Sequence, residues 1–184
     1  EEVEIRLGKA EDMIMTSLGE WVYGKDNDTL EGKVGELFLA KNKTLAVAES
    51  CTGGLIGHRL TQTPGSSEYF LEGVVTYSNK AKNSRLEVSP TLIQKYGAVS
   101  EEVALAMADG IRKTSCADIG LSVTGVAGPG ASDNKPVGTV FIAISDEEKS
   151  DCKYFRFYND RSRNKERSAQ AGLDLLRRWF RNRI

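Results

Sequence analysis

The run Glu49-Ser50-Cys51-Thr52-Gly53-Gly54 puts two nucleophile types beside a glycine pair. It follows the apolar run 44–48 and precedes a helical pattern, so it reads as a strand-to-helix turn. The first amides of a helix lack intrahelical acceptors, and paired glycines let a ligand approach the backbone. Such a turn suits an anion, or the oxyanion of acyl transfer; a plain capped turn is the alternative. Ser50 needs a base. The single histidine, His58, falls about two turns into the following helical pattern, too far for a Ser-His-Asp arrangement, and a surface role fits it. The other available base is a lysine of Tyr77-Ser78-Asn79-Lys80-Ala81-Lys82. Lys82 could serve if burial or neighbouring cations lowered its pKa, with Tyr77 relaying a proton or orienting the amine. By composition this stretch also reads as a solvated strand end. Cys51 is either a thiolate activated by the helix start or, the favoured reading, a small buried hydrophobe.

A second glycine cluster, Thr124-Gly125-Val126-Ala127-Gly128-Pro129-Gly130, follows another apolar run. Its glycines and proline make a tight turn whose amides could form an anion nest, with Lys135 placed to meet a phosphate. The Gly-x-x-x-x-Gly-Lys-Ser/Thr phosphate loop and a Gly-x-Gly-x-x-Gly fingerprint after a strand are both absent. Cys51, Cys116 and Cys152 are odd in number and unpatterned, and no His/Cys/Asp grouping has ligand spacing, so no disulfide framework, metal or cofactor is expected.

These stretches need a scaffold, and the chain has the length for one. Its 184 residues, 40% of them hydrophobic, suffice for one substantial core. The net charge of −1 argues against a globally basic nucleic-acid binder. Charge is nonetheless uneven: residues 161–184 carry eight basic and two acidic residues, +6, leaving −7 elsewhere. Ala171, Leu173, Leu175, Leu176, Trp179 and Phe180 recur there at helical spacing, which predicts a C-terminal helix packed on the core with solvated arginines. No run approaches the apolar length of a membrane span. The start, Glu1-Glu2-Val3-Glu4, is acidic where a signal peptide would be basic, and it lacks an initiator Met, as an excised C-terminal part would.

Residues 1–40 read as helical and less committed to the core, with Asp28 and Glu31 as a capping box for a helix through Leu39. Residues 41–184 form the main domain. There, strands are expected at 44–48, 69–77, 118–124, 137–145 and 153–158. The helices between them are 52–61, one opened by Ser89-Pro90, and one capped by Ser100 and running to about Thr114. The last two strands should pair as an antiparallel hairpin across 146–148. The result is an α/β fold with helices on both faces of a mixed sheet. In such sheets ligands sit beyond the carboxyl ends of the strands, where 49–54, 77–82 and 124–136 all fall.

Several motifs in order resemble the C-terminal domain of competence/damage-inducible protein A (CinA), the nicotinamide-nucleotide amidohydrolase family. They are AESCTGGLIG (48–57), GVVTYSNKAK (73–82), GAVSEEVALAMADG (97–110), SVTGVAGPG (122–130) and KPVGTV (135–140). The resemblance runs from about Leu45 to about Leu176, and 22–38 is similar to the stretch before this domain in full-length members. It implies a three-layer α/β/α fold with a five-stranded mixed sheet. It also implies deamidation of nicotinamide mononucleotide in pyridine nucleotide salvage. Ser50 matches the family nucleophile, Lys82 its base and Tyr77 the tyrosine beside it. Backbone amides around Thr52, Gly53 and Gly54 would hold the oxyanion, with Cys51 also beside the substrate. The phosphate is expected on the loop of Thr124, Gly125, Gly128 and Gly130, or on Lys135 and an arginine. For that arginine Arg161 and Arg163 are both candidates, since Asn159-Asp160-Arg161 stands where the family has Gly-Asp-Arg. Ala131 departs from the family's glycine run. The expected partners are a pyridine nucleotide, a second copy in a homodimer or larger homo-oligomer, and an N-terminal domain outside this chain; the expected location is the cytoplasm. A catalytically silent nucleotide-binding module and a DNA-linked interaction protein are the competing readings.

Overall fold

The computed structural model describes residues 2–131, 134–158 and 160–180. Asn159 and the basic residues Arg181 and Arg183, which entered the sequence reading, lie outside the described residues. Helix α1 (Glu2–Leu18) and a short 3-10 turn (Gly19–Trp21) lead to α2 (Leu30–Lys41). There follow β1 (Leu45–Glu49), α3 (Leu55–Thr61), β2 (Phe70–Val75), α4 (Asn79–Leu86), α5 (Pro90–Tyr96) and α6 (Glu101–Thr114). The chain continues through β3 (Ile119–Gly125), β4 (Thr139–Ser145), β5 (Ser150–Arg156) and α7 (Arg161–Trp179).

The five strands form one mixed sheet in the order β2-β1-β3-β4-β5. β1 is parallel to β2 and β3; β4 runs antiparallel to β3 and pairs with β5 as the expected hairpin. β1 is buried along its whole length, as a strand covered on both faces must be. Its alternation separates the two layers. Leu45 and Val47 join Leu121, Val123 and Ile142 beneath α2, α3 and α7. Ala46 and Ala48 face the opposite way, toward Val103, Met107 and Ile111 of α6 and Leu86 of α4. The α6 side is built from small residues because that helix lies close to the sheet. A Cβ on Gly120 would overlap the Ala108 carbonyl oxygen, and Ser122 Oγ donates to the Ala104 carbonyl at 2.6 Å.

Three local expectations are corrected. α3 starts at Leu55 rather than 52, because Gly53 (φ +64°) and Gly54 (φ +95°) hold left-handed backbone that a helix cannot include. α2 is capped by Thr29, whose hydroxyl accepts from the Gly32 amide, while Asp28 instead accepts from the Lys25 amide. Leu30, Val34 and Phe38 of α2 are in the main core, whereas α1 buries no residue. Among the described residues, no helix is long and apolar enough to cross a membrane.

Candidate active site

Ser50 directly follows β1 and is held there by its own backbone: its amide donates to the Val123 carbonyl at 2.9 Å, and its carbonyl accepts from the Gly53 amide at 3.1 Å. Lys82 comes from α4, a helix the sequence reading took for a strand-end loop. Ser78 caps it by accepting from the Ala81 amide at 3.1 Å. Lys82 and Leu86 are its two buried residues, four positions apart and so on one face. That face aims the Lys82 amine inward. Nζ lies 3.0 Å from Ser50 Oγ and donates to the Thr76 carbonyl at 2.8 Å, and the side chain is 1% exposed.

Around this pair lies a cavity of about 310 Å³, at the small end of the roughly 300–1,000 Å³ typical of small-molecule sites. Its wall brings together Ser50, Cys51, Tyr77, Lys82, Thr124, Gly125, Gly128, Gly130 and Arg161. The three polar segments at the carboxyl ends of the strands therefore meet. Thr52, Gly53, Gly54, Lys135 and Arg163 lie outside the wall. Thr52 is fully buried and Lys135 is half-buried. Arg163 is exposed, with Nε 3.6 Å from Asp160 on its own helix. Of the two arginine candidates, Arg161, at the first position of α7, lines the cavity and Arg163 does not. Its guanidinium donates to the Gly128 carbonyl at 2.6 Å and to Tyr77 Oη at 2.7 Å, bridging two loops across the mouth.

The amides after β1 are less open than the sequence suggests. The Glu49 carboxylate turns back over them, accepting from Gly54 at 3.0 Å, Ile56 at 3.2 Å and Gly57 at 2.9 Å. With Gly53 also engaged, the amides nearest the serine that find no oxygen acceptor among the described residues are those of Cys51 and Thr52, and both face the Cys51 thiol. Burial pushes the Cys51 thiol up to about 12, with the Glu49 carboxylate adding to the effect, so the thiol is protonated at neutral pH. Gly125 is required beneath it, because a Cβ there would lie 3.1 Å from Cys51 Sγ and 2.7 Å from the Thr139 carbonyl oxygen. Thr124 Oγ1 donates to the Ala98 carbonyl at 2.8 Å, tying the turn before α6 to the end of β3. That turn brings Ala98 and Val99 to the wall, joined by Asn79. None of these three was singled out from sequence. Asn79 lay inside a flagged stretch, but Ala98 and Val99 carry no chemical signal of their own. Among the described residues, no group of three or more His, Cys, Asp or Glu could hold a metal ion.

A larger cavity of about 570 Å³ lies at the other end of the sheet, between the α2, α6 and α7 C-termini and the β4–β5 turn. It holds both charge signs, with Lys43 paired to Asp118 at 2.9 Å.

The profile described as CinA C-terminal domain matches residues 27–180. A CinA-like protein of Desulfotalea psychrophila is 52% identical over 168 residues, covering 91% of this chain and 41% of that protein. A CinA-like protein of Geotalea daltonii is 49% identical over 162 residues, covering 88% and 39%. The chain thus spans about two fifths of the length of the curated relatives it matches. Among solved structures, competence/damage inducible protein CihA from Agrobacterium tumefaciens superposes with a TM-score of 0.78 at 35% identity, covering 84% of this chain and 96% of that one. The competence damage-inducible protein A (ComA) from Klebsiella pneumoniae gives 0.80 at 31% identity, covering 83% and 95%.

Proposed function

We propose that this chain, which belongs to the CinA C-terminal domain family, hydrolyses the carboxamide of nicotinamide mononucleotide to nicotinic acid mononucleotide and ammonia. The observation that carries the reading is the Lys82 Nζ–Ser50 Oγ contact of 3.0 Å, buried at the floor of a polar cavity of mononucleotide scale. With Lys82 as the amine, one N–H stays on the Thr76 carbonyl and the nitrogen lone pair takes the Ser50 proton. Ser50 Oγ bonds to the carboxamide carbon, and the C=O electron pair moves to oxygen. The Cys51 and Thr52 amides are the nearest donors for that oxyanion; losing one such donor typically costs about 10²–10³ in rate. This assignment replaces the Thr52–Gly54 set, since Gly53 and Gly54 already have acceptors. The protonated Lys82 then gives its proton to the departing nitrogen, and the C–N bond breaks to release ammonia. Water attacks the acyl ester, Lys82 takes the water proton, and its return to Ser50 Oγ regenerates the enzyme.

The electron-poor pyridinium ring makes this amide a good substrate for a serine without a histidine. The phosphate is placed on the Gly128–Gly130 wall with Arg161, the guanidinium at the mouth. No metal or cofactor enters any step. The test is ammonia release from nicotinamide mononucleotide with a chelator present, comparing wild type with Ser50→Ala. Turnover in wild type alone is expected, with nucleotide binding retained in the variant. Turnover by folded Ser50→Ala would refute the assignment, and a folded wild type that binds the nucleotide without turnover would point to a silent binding module.

A further inference from the structure

The residue before the nucleophile is a carboxylate 2% exposed, buried at the end of a strand where an apolar side chain would cost less. Its two oxygens accept three backbone N–H groups: Oε2 takes Gly54 and Ile56, and Oε1 takes Gly57. Its main chain works in the opposite direction. The Glu49 carbonyl accepts from the Thr76 amide at 2.8 Å, and the Thr76 carbonyl accepts from Lys82 Nζ. Since Lys82 Nζ also meets Ser50 Oγ and Ser50 is bonded to Glu49, the links close into a ring, Glu49–Ser50–Lys82–Thr76–Glu49. The carboxylate pins the far end of the turn, so the segment carrying Ser50 and the Cys51 and Thr52 amides is fixed at both ends.

We propose that Glu49 is a positioning residue, whose carboxylate clamps the turn and holds Ser50 Oγ in register with Lys82 Nζ. The inference rests on Ser50 and Lys82 acting as the nucleophile and base described above. An anion is required because one oxygen serves two donors and the other serves a third. A glutamine would set its NH2 against one of these N–H groups, and an alanine would leave three buried donors without acceptors.

The test compares wild type, Glu49→Gln and Glu49→Ala. It reads kcat and KM on nicotinamide mononucleotide, the rate of Ser50 labelling by a fluorophosphonate, and thermal unfolding. Loss of register should lower kcat by about 10²-fold with KM little changed, and Ser50 labelling should slow in parallel. Added formate should restore part of kcat in Glu49→Ala by supplying a carboxylate, and should not act on Glu49→Gln, where the side chain fills the space. Wild-type kcat in Glu49→Gln, a change confined to KM, or a folded Glu49→Ala indifferent to formate would each overturn the proposal. So would failure of both variants to fold, which would make the carboxylate a structural element alone. If wild type leaves nicotinamide mononucleotide intact while Ser50 labelling still depends on Glu49, the substrate reading fails and the positioning role stands.

Discussion

At position 51 burial overrules the neighbourhood. A thiol beside a helix start would ordinarily be a candidate thiolate, but desolvation, reinforced by Glu49, holds Cys51 at about 12. The consequence for stability has a definite sign. Below pH 9 the thiol is protonated in both the folded and the unfolded chain. As pH rises from 9 toward about 12 the unfolded chain ionises first, so stability falls. Cys51→Ser removes that titration. Its urea midpoint should therefore decline less than that of wild type between about pH 8 and about pH 10; equal declines would mean the thiol is not desolvated. Cys152, also raised to about 12, is common to both proteins and cancels in the difference. Ser50, Lys82 and Tyr77 were legible as residue types at strand ends. The work of Glu49 was not, because a carboxylate's partners here are backbone amides five to eight residues on, which no side-chain motif announces.

The elements show where periodicity speaks and where it fails. α6 was read from Val103, Ala104, Met107, Ala108 and Ile111, and it buries all five together with Gly110. α4 was missed because one of its two inward residues is Lys82, so its apolar stripe is reduced to Leu86. The Ser78 cap was the signal available for it. Close approach of α6 to the sheet sets a sharper constraint. Gly120→Ala would drive a methyl into the Ala108 carbonyl and the Arg112 side chain, which overpacking series place at about 1–3 kcal/mol of destabilisation. Urea unfolding should show a lowered midpoint with activity per folded molecule retained. An unchanged midpoint would mean that α6 can move away from the sheet without loss.

Over the whole molecule, the C-terminal helix does more than rest on the core. Its arginines were expected in solvent, yet Arg177 is 1% exposed and donates to the Glu20 carbonyl at 2.6 Å and to Asp174 at 2.7 Å. Arg178 lies 3.5 Å from the Glu20 carboxylate and stacks on Trp21. The basic face of α7 thus clasps residues 20–21. This removes two arginines from any nucleic-acid surface and anchors the chain just after α1. Since α1 buries nothing, deleting residues 1–18 should lower Tm by about 2 °C or less, the scale of a surface change in a protein this size. A larger drop in thermal unfolding would show that α1 contributes to the core.

Local rules determined a good deal from sequence alone: the strand-and-helix alternation, the final hairpin, the Ser100 cap, Pro90 at the first position of its helix, and the family. Each depends on spacing or turn chemistry within some twenty residues, or on motifs held in order. Tertiary structure decided what depends on distance through space. It set Lys82 on Ser50 across thirty-two residues, brought Arg161 and not Arg163 to the cavity wall, and turned Glu49 onto amides that the sequence leaves open. A side chain's partner is fixed by which elements pack together and at what rotation, and that is a property of the folded whole.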